Sequence, residues 1–179
     1  MIKALASLLF APRTDPRDAV RPLYAAVVAA ARAPHWYRDG GVADSVDGRF
    51  EMIAALLALT IKRLEDLPGQ QATMALLTEI FVEDMDAQLR QEGIGDVVVG
   101  KHVGKMMGAL GGRIAAYGAG LSVEGDPAPA LRRNLYRGGE PGAAQLDHAI
   151  AAMRDFRDRL ARRDAAALLA GDIGAGSAA

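Results

Sequence analysis

The residues of this chain that could perform acid–base or metal chemistry are few and scattered. Its three histidines, His35, His102 and His148, lie far apart in the sequence, and none belongs to an HExxH motif. Asp84 and Asp86 resemble a diacid, but side chains two residues apart on a helix point about 200° away from each other and cannot share one metal ion directly. These patterns favour a binding protein over an enzyme, and they predict no metal and no other cofactor.

Several other functional classes are excluded by composition. Because the chain has no cysteine, it has no disulfide, no thiolate nucleophile and no cysteine-held zinc or iron–sulfur centre. Neither a phosphate-binding loop nor a dinucleotide fingerprint occurs. The net charge of −1 and the pI near 6.3 argue against a nucleic-acid-binding protein, which needs a basic surface to neutralise phosphates.

A charged run before a long apolar segment is the most informative feature of the sequence. In the run VDGRFEM at residues 46–52, Asp47, Gly48, Arg49 and Glu51 precede or interrupt the apolar residues. Charged runs recur at residues 81–86 and 93–101. No reaction requires this order of residues, so we interpret the runs as parts of a fixed polar surface.

The elements that must position these residues are helices. Apolar residues recur at spacings of three and four nearly throughout, and the composition is rich in alanine with few β-branched runs. We therefore predict an all-α fold, a single compact domain of about six to seven helices. The most regular helix follows a cap at Asp44 or Ser45, stops near Pro68, and presents one apolar face made of Phe50, Ile53, Ala54, Leu57, Ile61 and Leu64.

We divide the chain into an N-terminal amphipathic segment at residues 1–13, a helical domain at residues 14–170 and a disordered tail at residues 171–179. Ile2, Leu5 and Leu9 share one helical face, which can dock on the domain or contact a membrane surface. The longest apolar stretch, residues 52–61, is far shorter than the roughly 20 residues that span a bilayer.

Asp84 falls at the edge of an apolar helix face, where a partly buried acid needs a hydrogen-bonding or basic partner. Three bases are candidates for this partner: Arg49, Lys101 and Arg113. We predict an internal ion pair between Arg49 and Asp84.

Glycine recurs every four residues in the predicted fourth helix, which begins at Asp96. Each glycine costs roughly 1 kcal/mol of helix propensity relative to alanine. Either tight packing in the core or a groove for a partner would compensate for this cost. The glycines are Gly100, Gly104, Gly108 and Gly112.

The order of these segments resembles the ubiquinol-cytochrome c chaperone family, whose members assist assembly of respiratory complex III. The resemblance covers most of the domain, and the combination of its motifs is more specific than any single one. It rests on Leu23-Tyr24, Trp36-Tyr37, Gly41-Val42, DSVDGRFE at residues 44–51, Arg63-Leu64, Asp84-Met85-Asp86, Leu89-Arg90, GIGD at residues 93–96, Val99-Gly100-Lys101, Met106, Gly112-Arg113, Ala116-Tyr117 and RNLY at residues 133–136.

The resemblance implies a non-enzymatic assembly factor that binds newly made cytochrome b, or another complex III component, and protects it before complex formation. Eukaryotic members of the family work with a small partner subunit near the ribosome, and whether this chain does so stays open. We expect a cytoplasmic location, with peripheral contact of residues 1–10 at the inner membrane as an alternative. We predict that the partner-binding residues are Asp47, Arg49, Glu83, Asp86, Asp96 and Lys101.

A rival interpretation is a helical module that holds a lipid or quinone-like ligand in an internal pocket. It is suggested by the methionines and by gaps that glycines leave between helices. The two interpretations differ in whether a small molecule copurifies with the protein.

Overall fold

The computed structural model describes residues 15–91, 96–122 and 124–174; the side chains of residues 89–91 and 96–107 are outside this description. Throughout this described part the regular elements are helices, and no strand occurs. The prediction of an all-α, single-domain fold is confirmed.

The elements follow one another with short connections. In order, they are a 3-10 turn (Pro16–Ala19), α1 (Arg21–Ala31), α2 (His35–Arg38), α3 (Val46–Glu65), α4 (Gln71–Gln91), α5 (Asp96–Gly120), α6 (Ala128–Ala130) continuing as a π turn (Leu131–Leu135), α7 (Ala143–Ala161) and α8 (Ala165–Leu169). α2, which carries the neighbouring aromatic residues Trp36 and Tyr37, is a single helical turn.

The N-terminal end of the described domain is organised by two prolines. The carboxylate of Asp15 accepts a hydrogen bond from the backbone N–H of Arg17, and Pro16 begins the 3-10 turn. α1 then begins at Arg21 and Pro22. N–H groups in the first turn of a helix have no intrahelical acceptor, so proline costs no hydrogen bond there. The chain therefore makes a short 3-10 turn before α1 begins.

α3 is the central helix of the fold. The sequence predicts one apolar face, but every residue from 51 to 61 is buried, because α1, α4, α5 and α7 pack around the helix. The uninterrupted apolar run at residues 52–59 is the signal for a helix that is buried on all sides. α3 is thus the scaffold against which the other helices are placed.

The surrounding helices bury the apolar positions that their periodicity indicates. α4 buries Leu77, Phe81 and Met85, α5 buries Leu110 and Tyr117, and α7 buries Met153, Phe156 and Leu160 in the same core. The described part of the chain therefore forms one hydrophobic core.

Residues 171–174, assigned from the sequence to a disordered tail, are held against the domain. Asp172 pairs with Arg163 at 2.9 Å, and Arg159 Nη1 donates to the carbonyl oxygen of Gly174 at 2.6 Å. Ile173 packs on the core. The rest of the predicted tail and the predicted segment at residues 1–13 lie outside the described residues.

Candidate functional site

The charged run at residues 46–52 forms the first turns of α3, and its small residues fix the local backbone. Ser45 caps the helix by accepting a hydrogen bond from the backbone N–H of Gly48 at 3.2 Å. A β-carbon at Gly48 would overlap the carbonyl oxygen of Ala43. Glycine is therefore required where the chain passes close to the helix start.

One side of this segment points into the protein. Nε and Nη2 of Arg113 on α5 donate to the carboxylate of Glu51, with Nε···Oε2 at 2.8 Å and Nη2···Oε1 at 2.6 Å. The two side chains are only 5% and 11% exposed. The pKa of Glu51 is raised because burial disfavours its charged form more than Arg113 stabilises it. This ion pair joins α3 to α5 inside the domain.

Aromatic rings and a hydroxyl surround the Glu51–Arg113 pair. Phe50 packs against Phe81 with ring centroids 5.7 Å apart, and the guanidinium of Arg113 lies 5.7 Å from the centre of the Phe50 ring. Burial and the charge of Glu51 raise the pKa of Tyr117, whose hydroxyl has no protein hydrogen-bond partner among the described residues. Glu51 is therefore the acid of an interior polar centre.

The other side of the segment points to solvent, and here the predicted Arg49–Asp84 ion pair is wrong. Arg49 binds Asp44, with Nε at 2.8 Å and Nη2 at 2.7 Å from the same oxygen Oδ1. Asp84 accepts a hydrogen bond from the hydroxyl of Tyr24 at 2.7 Å. Arg49 thus pairs with Asp44, which lies five residues earlier in the chain, and a tyrosine of α1 satisfies Asp84.

Of the predicted partner-binding residues whose side chains the structure describes, Asp47, Arg49 and Glu83 each pair with a residue outside the predicted set. Asp47 pairs with Arg137 at 2.9 Å, and Glu83 pairs with Arg17 at 3.1 Å. Asp86 lies half-buried on α4. Asp96 and Lys101 belong to α5, but their side chains are outside the described part of the chain. The exposed members are thus distributed along α3 and α4, each with its own partner.

A groove near Arg49, which we call the arginine groove, was not predicted from the sequence. It has a volume of about 700 Å³ and lies between the end of α1, α2 and the start of α3. The residues that line it are Arg32, Pro34, Tyr37, Arg38, Asp44 and Arg49. A signal was present in the sequence, because Arg32 and Arg38 flank the aromatic residues of the α1–α2 connector.

The corner between α1 and α2 is fixed by two aromatic side chains. Trp36 Nε1 donates to the carbonyl oxygen of Ala30 at 2.9 Å, and the Tyr37 hydroxyl donates to that of Ala31, also at 2.9 Å. Ala30 and Ala31 are the last residues of α1, and these bonds add side-chain donors to carbonyl oxygens that lack the usual donor four residues later. The corner places Arg32 and Arg38 on the same groove.

α5 presents glycines to solvent. Gly108, Gly111 and Gly112 are exposed, and a β-carbon added at any of them would meet no atom of the described residues within 4 Å. Tight packing against the described part of the domain therefore does not explain these three glycines. Of the two interpretations of the glycine pattern, the surface for a partner is the one that this part of α5 favours.

A second groove, which we call the alanine groove, lies between α1, α7 and residues 173–174. Its volume is about 910 Å³, and Ala26, Ala30, Ala33, Ala151 and Ala152 contribute to its wall. It lies at the surface rather than among the buried methionines.

A histidine pair lies at one side of the alanine groove. His35 Nδ1 and His148 Nε2 are 3.0 Å apart, a hydrogen-bonding distance, and join α2 to α7. Burial and the neighbouring His148 lower the pKa of His35. Among the described residues no group of three or more His, Cys, Asp or Glu side chains is arranged to hold a metal ion, and no helix there is long and apolar enough to cross a membrane.

Comparison with known proteins connects this fold to a family. Residues 38–175 match the family model described as ubiquinol-cytochrome C chaperone. The chain is also similar to a solved structure, the crystal structure of the Cbp3 homolog from Brucella abortus. The two are 31% identical, with a TM-score of 0.78, and the match covers 99% of this chain and 97% of that chain. Comparison with curated proteins gives no match.

Proposed function

Because the chain belongs to the ubiquinol-cytochrome C chaperone family, we propose that it is a non-enzymatic assembly chaperone that binds newly made cytochrome b. In this role it supports assembly of ubiquinol-cytochrome c reductase, complex III. The observation that carries the proposal is the family match over residues 38–175. The similarity to the Cbp3 homolog over nearly the whole length of both chains supports it.

Deletion of the gene in its host tests the proposal directly. We expect lower levels of assembled complex III and of cytochrome b, both restored by a plasmid copy of the gene. Blue-native electrophoresis and haem difference spectra measure the two quantities. Normal levels of both in the deletion strain would reject this function.

We further propose that α3, α4 and α5 provide the client surface. The exposed glycines Gly108, Gly111 and Gly112 support this assignment, because a surface without β-carbons lets the backbone of another helix approach closely. The exposed ion pairs of Asp47 and Glu83 on α3 and α4 add polar groups that a client can contact.

Variants of the glycine surface separate client binding from stability. Gly112→Ala should stabilise the isolated protein by up to about 1 kcal/mol, because the helix gains propensity and the added methyl group meets nothing. The same variant, and Gly108→Leu more strongly, should capture less cytochrome b when the tagged protein is purified from its host. Ala161→Leu, at an exposed position near the end of α7, is the matched control for added bulk. If Gly108→Leu captures as much cytochrome b as wild type does, α5 is not part of the client surface.

The alanine groove favours one alternative function, the binding of a lipid or quinone-like ligand. Buried Trp36 and Phe156 contribute to its lining, and a volume near 910 Å³ is adequate for such a molecule. Native mass spectrometry of gently purified protein distinguishes the two functions. A copurifying small molecule supports the alternative, and a bare protein that still captures cytochrome b supports the chaperone.

We propose a cytoplasmic location, with residues 1–10 as the segment that contacts the inner membrane if the protein is peripheral. Fractionation of the full chain and of a variant lacking residues 1–10 tests the contact. A membrane-associated fraction that disappears in the shortened variant assigns the contact to this segment. Proteins captured with the tagged full chain also show whether a small partner subunit or the ribosome takes part.

A further inference from the structure

The arginine groove has positive charge that its own residues do not neutralise. Three of its lining residues are arginines and one, Asp44, is an acid. Asp39, outside the lining, binds Arg38 through two hydrogen bonds of 2.9 and 2.7 Å. Arg32 makes no ion pair with any residue that the structure describes. Even when Asp39 is counted, the groove keeps an excess of one positive charge in a protein whose net charge is −1.

Asp44 occupies the position in this groove that an external carboxylate would take. Two nitrogens of Arg49 converge on its Oδ1, so its second oxygen is not used by Arg49. Both side chains are more than half exposed, at 57% for Arg49 and 62% for Asp44. A carboxylate arriving from solvent can pair both of its oxygens with the guanidinium fork, which is the stronger geometry. Asp44 is thus a weak internal competitor.

At the start of α3, Ser45, Gly48 and Glu51 have contacts inside the domain, and Arg49 is the outward base of the charged run. Ser45 caps α3, Gly48 passes the Ala43 carbonyl, and Glu51 binds Arg113. The free N–H groups at the start of α3 add positive potential next to the groove. Pro34 and Tyr37 give the groove apolar walls, against which the backbone and side chains of a peptide can pack.

We propose that the arginine groove binds an acidic segment of a partner protein. One carboxylate of that segment displaces Asp44 from Arg49, and a neighbouring acid contacts Arg32. The groove includes Arg49 at the start of α3, so it adjoins the proposed client surface. The test below uses purified protein and an acidic peptide, so its outcome does not depend on whether the client is cytochrome b.

The test uses the purified full chain and a fluorescent ten-residue peptide of alternating glutamate and alanine, with the glutamine–alanine peptide as its control. Fluorescence anisotropy at low ionic strength measures the dissociation constants. We expect wild type to bind the glutamate peptide and not the glutamine peptide. Arg49→Gln and Arg32→Gln should each weaken binding about threefold to fivefold, the range of one exposed charge pair.

Asp44→Asn distinguishes ligand binding from a structural role. It breaks the same ion pair as Arg49→Gln. If this ion pair only maintained the local structure, both variants would bind the peptide more weakly than wild type. If Asp44 competes with the ligand, Asp44→Asn should instead bind the peptide about threefold more tightly. Asp47→Asn is the matched control, because it removes the same charge from an exposed ion pair nearby that does not line the groove.

Three results would overturn the proposal. The first is failure of wild type to bind the glutamate peptide. The second is equal tightening by Asp44→Asn and Asp47→Asn, which would mean a diffuse charge effect. The third is binding of phosphatidylglycerol vesicles in place of the peptide, with the same dependence on Arg32 and Arg49, which would assign the groove to lipid headgroups. Circular dichroism confirms that each variant is folded, as expected for exposed positions.

Discussion

Arg49 and Glu51 lie two residues apart on α3, yet they belong to two different regions of the molecule. Glu51 points inward and binds Arg113 across 62 residues of sequence, with both side chains nearly buried. Arg49 points outward and binds Asp44 five residues away, with both side chains mostly exposed. The inner pair joins two long helices, whereas the outer pair joins a helix to the loop before it.

The difference shows that burial, rather than ion-pair geometry, determines what each charge does. Inside the protein, an acid that loses its base stays in a poorly solvated site, so the pair is needed for stability. At the surface, water replaces either partner at little cost, so the pair can be exchanged for another. The inner pair therefore suits the scaffold and the outer pair suits recognition.

Removing the base of the inner pair should have the largest effect. Arg113→Ala leaves the Glu51 carboxylate buried without its partner and should lower the free energy of unfolding by about 3–5 kcal/mol. Urea denaturation followed by circular dichroism measures this change. Arg137→Ala, which removes the exposed partner of Asp47, is the control and should cost less than about 1 kcal/mol. Equal losses in the two variants would contradict the distinction between the two regions.

Adding one methyl group at Gly48, at the start of α3, should have the next largest effect on stability. Gly48→Ala places a β-carbon against the Ala43 carbonyl oxygen, so the loop before α3 must move, at a cost of about 1–3 kcal/mol. Gly111→Ala adds the same group where no atom of the described residues lies within 4 Å and should be neutral or stabilising. Thermal unfolding measures both variants, and a stabilised Gly48→Ala variant would show that the loop is not constrained there.

Removing the base of the outer pair should change stability least among these substitutions. Arg49→Gln loses an exposed ion pair and should lower the free energy of unfolding by less than about 1 kcal/mol. The same urea titration checks it beside Arg113→Ala. A loss as large as that of Arg113→Ala would mean that the outer region is part of the scaffold.

The His35–His148 pair is partly buried, between the nearly buried inner pair and the exposed outer pair. Its effect on stability should be small and dependent on pH. The pKa of His35 lies below its usual value of 6.5, so at acidic pH the unfolded chain binds more protons than the folded chain. Stability should therefore fall as pH drops below about 6.5 and through the lowered pKa. His148→Gln removes one cause of the lowered pKa, while Asp39, Arg38 and Arg159 still face His35. Melting curves from pH 8 to 5.5 should show a shallower decline for this variant, and an unchanged or steeper slope would contradict the assignment.

Local patterns in the sequence predict most of the fold. Helical spacing identifies α3, α4 and α7, Ser45 is one of the two caps expected for α3, and Asp96 is the expected start of α5. These features depend on neighbouring residues, which is why sequence periodicity and capping rules detect them.

The pairing of charges could not be predicted in the same way. Arg49, Lys101 and Arg113 are equally plausible partners for Asp84 in the sequence, but the structure gives Asp84 the hydroxyl of Tyr24. The choice depends on how α1, α4 and α5 are rotated about their axes, which no local pattern specifies. The open side of Gly111 and Gly112 likewise depends on where the neighbouring helices lie.

The hydrogen bonds of the α1–α2 corner connect residues close in sequence, so the spacing of Arg32 and Arg38 depends mainly on nearby residues. Trp36 and Tyr37 each bind a carbonyl group six residues earlier, so residues 30–37 determine the turn largely by themselves. Closing such short loops costs little chain entropy compared with contacts between distant segments. Insertions or deletions elsewhere in the chain should therefore affect the separation of Arg32 and Arg38 less than they affect contacts between distant segments, and this corner can be inherited as a unit while the rest of the sequence diverges.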